Sequence, residues 1–159
     1  MRQFLNSKSE SAANIRSQII NSRKFLTETN FSIPSLDSLT DLKKSAKRVI
    51  NAVNNAEKIM IFGHDVMDGI TSTYILYDFL RILGSKNHFC YIPNRIIENH
   101  GLSPIFTKKV IEGKFDLVIT VDGGIKSYDA VEVLSKANIQ VIVTDHHIVP
   151  EYLLLTKLQ

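Results

Sequence analysis

From residue 58 onward, short apolar runs alternate with amphipathic segments, and this alternation restricts the fold more than any other feature of the chain. Four runs have the length of strands and cover residues 58–62, 88–92, 116–121 and 140–144. Three intervening segments predict helices, one over 70–83, one starting at Ser103-Pro104 and one over 127–137. Because the runs are apolar throughout, they predict a parallel sheet that is covered on both faces. The expected fold class is therefore α/β, a doubly wound and mostly parallel sheet.

The first 57 residues carry a different pattern. Apolar positions at loosely helical spacing predict a helix over residues 10–26, and Pro34 lies in the break that follows. A second helix is predicted over about 41–56, with Thr40 as its N-cap. We therefore expect a helical N-terminal extension, residues 1–57, that packs on an α/β domain formed by residues 58–159.

Polar residues follow three of the four strands at the points where the strands end. The three segments are Gly63-His64-Asp65-Val66-Met67-Asp68-Gly69, Asp122-Gly123-Gly124 and Asp145-His146-His147. Parallel strands bring their carboxyl ends to a common edge of the sheet, so these segments are expected to form one site. The helix that follows Gly69 would point its N-terminus at the same edge, which favours anions.

The residue types in these segments predict a metal site. Carboxylate oxygens suit hard divalent cations and imidazole suits Mn²⁺, so an Asp/His set without cysteine favours Mn²⁺ or Mg²⁺. Two such ions about 3.5–4 Å apart can hold a phosphate and activate a water. Asp122 is well placed to bridge them, because the two glycines after it leave room for a ligand. Taken singly, each segment also has a structural interpretation as a turn, a cap or a partly buried histidine, and only their joint placement favours the site.

Composition limits the class of protein. The single cysteine, Cys90, permits no disulfide within one chain and is expected to be a small buried residue. No apolar run reaches the roughly 20 residues that span a bilayer, and the N-terminus lacks the apolar core of a signal peptide. We expect a cytoplasmic protein with no membrane partner. Tyr74, Tyr77 and Phe79 are interpreted as core residues of the helix that carries them.

Charge is distributed unevenly along the chain. Residues 1–57 carry nine Lys/Arg and five Asp/Glu, a net +4, whereas residues 58–159 carry ten and eleven, a net −1. A basic part beside a carboxylate-rich part suits a polyanion that is held near metal ions. The alternative is that Lys43, Lys44, Lys47 and Arg48 form an ordinary solvated helix face.

Together with Tyr91-Ile92-Pro93-Asn94-Arg95, the three segments resemble the DHH phosphoesterase superfamily, and within it the RecJ-type single-strand-specific exonucleases. The resemblance covers about residues 40–151. It implies a hydrolase that uses two Mn²⁺ or Mg²⁺ ions to remove nucleotides from the 5′ end of single-stranded DNA. It also implies DNA repair as the setting, with repair or replication proteins as partners.

The resemblance also implies roles for individual residues. Asp68 resembles a metal ligand of the first motif, Asp122 the bridging ligand and His146 a further ligand. Asp145 and His147 resemble the supporting and phosphate-contacting residues of the catalytic machinery. Arg95 resembles a residue that holds the DNA or its terminal phosphate.

The first motif departs from the usual RecJ pattern, which reads G-D-Y-D-V-D-G. Aligned without gaps, His64 takes the place of the first Asp, as in other branches of the superfamily, and Val66 takes the place of the middle Asp. Val66 cannot bind a metal, although a local slip would let Asp65 substitute for it. The family's fourth acidic motif would lie beyond residue 159, so the domain is expected to be truncated before that motif.

Three functions fit this combination of features. The first is an exonuclease domain that is incomplete or weakly active as this chain. The second is a non-catalytic module that binds single-stranded DNA or a replication or repair partner. The third is another DHH activity, on short oligonucleotides, cyclic dinucleotides or pyrophosphate, which the Tyr91–Arg95 stretch disfavours. A dinucleotide-binding domain is not expected, because no G-x-G-x-x-G follows the first strand.

Overall fold

The computed structural model describes residues 35–39, 41–98 and 100–149, and the chain divides into two compact units, Met1–Thr40 and Asp41–Gln159. In the first unit, the described residues include a short 3-10 helix, Leu36–Ser38. The helix predicted over 10–26 lies outside the described residues. No helix in the described part of the chain is both long and apolar enough to cross a membrane.

The second unit alternates helices and strands in the predicted order. The helices are α1 (Leu42–Asn54), α2 (Met67–Ile82), α3 (Pro104–Glu112) and α4 (Tyr128–Lys136). The strands are β1 (Ile59–Phe62), β2 (His88–Tyr91), β3 (Leu117–Val121) and β4 (Gln140–Thr144). Capping residues explain where two of these helices begin or end. Ser103 caps α3 by accepting a hydrogen bond from the Phe106 N–H at 3.0 Å, and Gly84 follows α2 at a φ of 91°.

The four strands form one fully parallel sheet in the order β2-β1-β3-β4. The α/β fold class predicted from the sequence is therefore confirmed. The chain moves from β1 to β2 on one side and then crosses over to β3 on the other side. The loops that leave β1 and β3 consequently diverge, and they open a crevice at the carboxyl ends of these two central strands.

The core lies on both faces of the sheet because the side chains of β1 alternate between them. Met60 and Phe62 pack on one face with residues of α3 and α4, including Phe106 and Leu134. The other face buries a second apolar cluster that joins the sheet to α1 and α2, formed by Ala52, Ile59, Ile61, Leu80, Leu117, Ile119 and Val121. Through Ala52, α1 packs directly on the sheet. The division of the chain at residue 57 stays a prediction.

Several details differ from the sequence-based expectations. Among the described strands, the outer strands β2 and β4 pair on one side only. The predicted burial is wrong for both of them, because Cys90 is exposed and Val143 is 36% exposed. The interpretation of Tyr74, Tyr77 and Phe79 as core residues is wrong, because they are 69%, 37% and 51% exposed. The N-cap of α1 is Asp41 and not Thr40, which lies outside the described residues.

Candidate metal centre

Asp122 lies at the centre of the crevice between the ends of β1 and β3. It follows the last residue of β3 in a left-handed conformation, with a φ of 56°, which aspartate tolerates better than most residues. Its backbone N–H donates to the Thr144 carbonyl at 3.1 Å and thereby ties β3 to the end of β4. The side chain is only 7% exposed, so a strand-end carboxylate is held under the surface of the crevice.

The two carboxylate oxygens of Asp122 have different surroundings. Oδ1 lies 3.0 Å from Nε2 of His146. Oδ2 is buried and has no hydrogen-bond partner among the described residues, although Nδ1 of His64 lies 3.6 Å away. A buried charged oxygen without a partner is costly, which makes this atom a candidate ligand for a cation.

Asp145 holds the His147 ring. Its side chain is 2% exposed, and it accepts hydrogen bonds from the backbone N–H of Ile125 at 3.0 Å and of His147 at 3.1 Å. Nδ1 of His147 lies 2.6 Å from the same carboxylate. Burial alone would raise the pKa of Asp145, but these hydrogen bonds and the adjacent ring lower it, so the carboxylate stays ionised. With its proton on Nδ1, the ring offers the lone pair of Nε2 to a ligand.

Asp122, His146 and His147 together form a group of possible metal ligands. One ligand atom from each lies within 4.8 Å of the others, and the His146 and His147 ring centroids are 4.5 Å apart. Ligand atoms at about 2.0–2.2 Å from an ion are a little closer together than this, so a small movement of the exposed rings would complete the group.

His64 joins the loop after β1 to Asp122. Besides the contact of Nδ1 with Asp122, its Nε2 lies 3.6 Å from Oδ1 of Asp65 and 3.4 Å from Nδ1 of His100. Arg95 reaches the other oxygen of Asp65 at 3.8 Å. Gly69 makes this placement possible, since a Cβ at that position would lie 2.5 Å from Cβ of His64. The structure therefore brings His64, Asp65 and Arg95 to the edge that carries Asp122.

Asp68 is the predicted site residue that the structure does not bring into this group. It lies in the first turn of α2, it is exposed, and its carboxylate makes no hydrogen bond or ion pair with another described residue. Helix α2 begins three residues earlier than predicted, so Val66 occupies the N-cap position in an extended conformation. In the described chain no carboxylate takes the place of Val66, and the nearest one along the loop, Asp65, faces His64 instead.

Sequence reasoning missed two residues of this region, His100 and Glu98. His100 contacts His64, but it lies in an irregular loop where no periodic pattern identifies it. Glu98 is 7% exposed and accepts hydrogen bonds from Tyr91 Oη at 2.7 Å, from the Asn94 N–H at 3.0 Å and from Ser103 Oγ. The burial of Glu98 could not be predicted, because a charged residue in an irregular loop after a strand is usually exposed.

The donor set fits a hard divalent cation. It contains carboxylate oxygens and imidazole nitrogens without sulfur, which suits Mn²⁺ and Mg²⁺ better than soft metals. Two of its atoms, Oδ2 of Asp122 and Nδ1 of His64, are buried and unpaired among the described residues, and they face each other. A cation between them would satisfy both atoms.

Comparisons with known proteins identify the family of this chain. A model of the DHH family, N-terminal domain, matches residues 58–157. The chain is 35% identical over 138 residues to the single-stranded-DNA-specific exonuclease RecJ of Haemophilus influenzae, covering 87% of this chain and 24% of that protein. The RecJ of Bacillus subtilis is 38% identical over 106 residues, covering 67% of this chain and 13% of that protein. The chain thus spans a quarter or less of the length of these relatives.

Two solved structures share the fold. A crystal structure of exonuclease RecJ bound to manganese matches with a TM-score of 0.68 and 31% identity, covering 75% of this chain and 30% of that one. RecJ from Thermus thermophilus in complex with Mn²⁺ matches with a TM-score of 0.59 and 27% identity, covering 83% of this chain and 19% of that one. Both neighbours hold the metal that the donor set of this chain favours.

Proposed function

The chain belongs to the DHH family, and we propose that its crevice binds divalent metal ions and hydrolyses phosphodiester bonds of single-stranded DNA. The relatives named above are single-stranded-DNA-specific exonucleases, and the two solved neighbours contain manganese. The observation that carries the proposal is Asp122, a buried carboxylate with His146 on one oxygen and an unpaired second oxygen that faces His64. The substrate is proposed from the relatives.

We assign the metal ligands as follows. Asp122, His146 and His147 would hold one ion, because their ligand atoms already converge. The second oxygen of Asp122 and Nδ1 of His64 would share another. Asp68 is an additional exposed carboxylate at the same edge, and its role as a ligand stays a prediction. Bound divalent ions supply charge for the phosphate and lower the pKa of a bound water.

The remaining residues prepare the site for a phosphate. Asp145 keeps the proton of a neutral His147 ring on Nδ1, so the ring presents the lone pair of Nε2 to a ligand. Arg95 is 62% exposed beside Asp65, and its guanidinium can donate two hydrogen bonds to a phosphate. The N-terminus of α2 adds backbone N–H groups and a favourable dipole at the same edge. These features favour binding of the anionic DNA backbone in the crevice.

A second candidate function is a module that binds single-stranded DNA without cleaving it. Val66 at the N-cap of α2 favours this alternative, because the usual motif has a carboxylate there. In this case the metal site orients the nucleic acid but lacks a ligand that the chemistry needs. The cytoplasmic location and the repair or replication partners stay predictions in both cases.

An assay on 3′-labelled oligonucleotides distinguishes the two functions, because the label stays on a strand that is shortened from its 5′ end. The protein is incubated with single-stranded or duplex DNA in Mn²⁺, and both cleavage and binding are measured. Asp122→Asn is the informative variant, since asparagine tolerates the left-handed backbone and changes only the charge and one oxygen. Glu112→Gln is the matched control, because Glu112 lies at the end of α3, at the opposite edge of the sheet.

The hydrolase proposal predicts Mn²⁺-dependent shortening of single-stranded DNA, reduced about 100-fold or more in Asp122→Asn and unchanged in Glu112→Gln. Mn²⁺-dependent binding without shortening supports the binding module. If single-stranded DNA is neither bound nor cleaved in Mn²⁺, both candidates are wrong.

A further inference from the structure

His100 lies against His64 on the side of the ring that faces away from Asp122. We propose that His100, together with Asp65, fixes the His64 ring so that its Nδ1 lone pair points at Asp122. His100 is in this view a positioning residue of the metal centre, and Asp65 acts through His64 and not as a replacement ligand for Val66. This inference rests on the proposed function, because His64 is assigned there as a ligand.

The two ring nitrogens of His64 face different surroundings. Nδ1 is buried and unpaired among the described residues, and Oδ2 of Asp122 lies 3.6 Å from it. Nε2 lies 3.4 Å from Nδ1 of His100 and 3.6 Å from Oδ1 of Asp65. The rings of His64 and His100 stack with their centroids 5.7 Å apart. One nitrogen thus faces the metal centre, and the other faces a nitrogen acceptor and a carboxylate.

This environment determines where the proton of a neutral His64 ring lies. A carboxylate and an imidazole lone pair both favour an N–H at Nε2, which leaves Nδ1 as an acceptor. The lone pair of Nδ1 then faces the carboxylate of Asp122, and a cation between these two buried acceptors would satisfy both. Histidine ligands of metals commonly donate their second ring N–H to a supporting group, and loss of that group weakens binding about 10–100-fold.

The loop that carries His100 is held on both sides of this residue. Upstream, Glu98 joins the end of β2 to the start of α3 through Tyr91 and Ser103. Downstream, the N–H of Leu102 donates to Ser127 Oγ at 3.0 Å. Gly101 has a φ of 89°, and a Cβ there would lie 2.6 Å from the same hydroxyl. These hydrogen bonds hold the backbone before and after His100, which restricts where its side chain can lie.

Arg95 completes the support from the same loop. It lies 3.8 Å from Oδ2 of Asp65, the oxygen that is not directed at His64. Asp65 is therefore held between a guanidinium and an imidazole, with its side chain 20% exposed. This arrangement explains why Asp65 does not turn towards the metal centre.

The test compares His100→Phe, His100→Asn and Ile96→Ala in the full chain. Phenylalanine keeps a ring but removes the acceptor, whereas asparagine places an amide oxygen as many bonds from Cα as Nδ1 is. Ile96 lies in the same loop and is 94% exposed, so its substitution controls for general effects on the loop. Two readouts are measured: the tautomer of His64 by nitrogen NMR without metal at mildly alkaline pH, and Mn²⁺ affinity by calorimetry.

Wild type, His100→Asn and Ile96→Ala are expected to show a His64 ring protonated at Nε2 alone, with similar Mn²⁺ affinities. His100→Phe is expected to show mixed tautomers and a Mn²⁺ affinity about 10-fold lower. An unchanged tautomer in His100→Phe, or an unchanged Mn²⁺ affinity, overturns the inference. If wild type binds no Mn²⁺, the proposed function fails, while the NMR signal still decides whether His100 fixes the His64 ring.

Discussion

At the scale of single residues, the crevice depends on backbone conformations and close contacts that few residue types accept. Gly101 combines both demands, because its φ is 89° and an added Cβ would lie 2.6 Å from Ser127 Oγ. Gly84 has a similar φ of 91°, but an added Cβ would have no neighbour within 4 Å. The two glycines therefore separate the cost of the conformation from the cost of the contact.

Gly84→Ala is expected to lower the free energy of unfolding by about 1–2 kcal/mol, the cost of a left-handed alanine. Gly101→Ala is expected to lose about 1–3 kcal/mol more, because it also overpacks Ser127 and disturbs the Leu102 hydrogen bond. Urea unfolding of both variants measures the difference. Equal losses would contradict the view that the loop is held tightly at Ser127.

Asp145 offers a second prediction at this scale. Asp145→Asn keeps the size of the side chain but places an amide N–H against the N–H of either Ile125 or His147. The His147 ring then loses its fixed tautomer, and the Mn²⁺ affinity is expected to fall about 10–100-fold. Calorimetric titration with Mn²⁺ measures this, with Glu112→Gln as the control. An affinity equal to that of wild type would remove His147 from the proposed ligand set.

The position of Asp122 in the site could be predicted from the sequence, whereas that of His100 could not. A carboxylate directly after an apolar strand and before two glycines predicts a residue at the edge of a parallel sheet, and Asp122 lies there. His100 follows no strand and belongs to no periodic pattern. Its position depends on hydrogen bonds made by Glu98 and Ser127, which are far apart in the sequence.

At the scale of secondary-structure elements, Glu98 joins β2 to α3. Its carboxylate accepts hydrogen bonds from the Tyr91 hydroxyl, the Asn94 N–H and Ser103, which is the N-cap of α3. Burial raises the pKa of Tyr91 to about 12, with a further contribution from Glu98. For Glu98, burial alone would raise the pKa, but the hydrogen bonds and Lys109 outweigh burial and lower the pKa below its usual value. The fold therefore holds an ionised carboxylate at this junction.

This lowered pKa makes the stability of the protein depend on pH. A carboxylate with a lower pKa in the folded state stabilises the fold above the unfolded pKa, and the contribution is lost as pH falls through the folded value. Glu98→Gln is expected to lower the free energy of unfolding by about 1–3 kcal/mol at pH 7. Urea unfolding at neutral and acidic pH should show a smaller difference between wild type and variant at acidic pH. A difference that stays constant as pH falls into the acidic range would contradict the assigned role of the charge.

The order and type of the elements from α1 to β4 could be predicted because their apolar periodicity is strong. The start of α2 could not be predicted, since Val66 and Met67 lie in a polar loop pattern. The helix begins three residues earlier than predicted, and Asp68 therefore lies inside it. Burial of the edge strands could not be predicted either. Three of the five residues of β4 are apolar, against four of five in β3. This small difference does not identify an edge strand, whereas the strand order shows that β4 has a single neighbour among the described strands.

At the scale of the whole molecule, the sheet order creates the site. Neighbouring positions of β1 and β3 pair in parallel, with Phe62 opposite Thr120, so the loops after both strands begin side by side. Val121 pairs with Thr144, which brings Asp145 and the two histidines after it to Asp122. Three segments that lie far apart in the sequence thus converge without any direct sequence signal, other than their common position after strands.

The central claim is that Asp122 is the shared ligand of a divalent-metal site, and calorimetric titration with Mn²⁺ tests it most directly. Wild type and Glu112→Gln are expected to bind Mn²⁺ with the same affinity, whereas Asp122→Asn should bind at least about 100-fold more weakly. This loss of Mn²⁺ affinity exceeds the loss expected when a residue that only supports a ligand is changed, because Asp122→Asn removes a charge that would bind the metal directly. Equal Mn²⁺ binding by wild type and Asp122→Asn would contradict the claim.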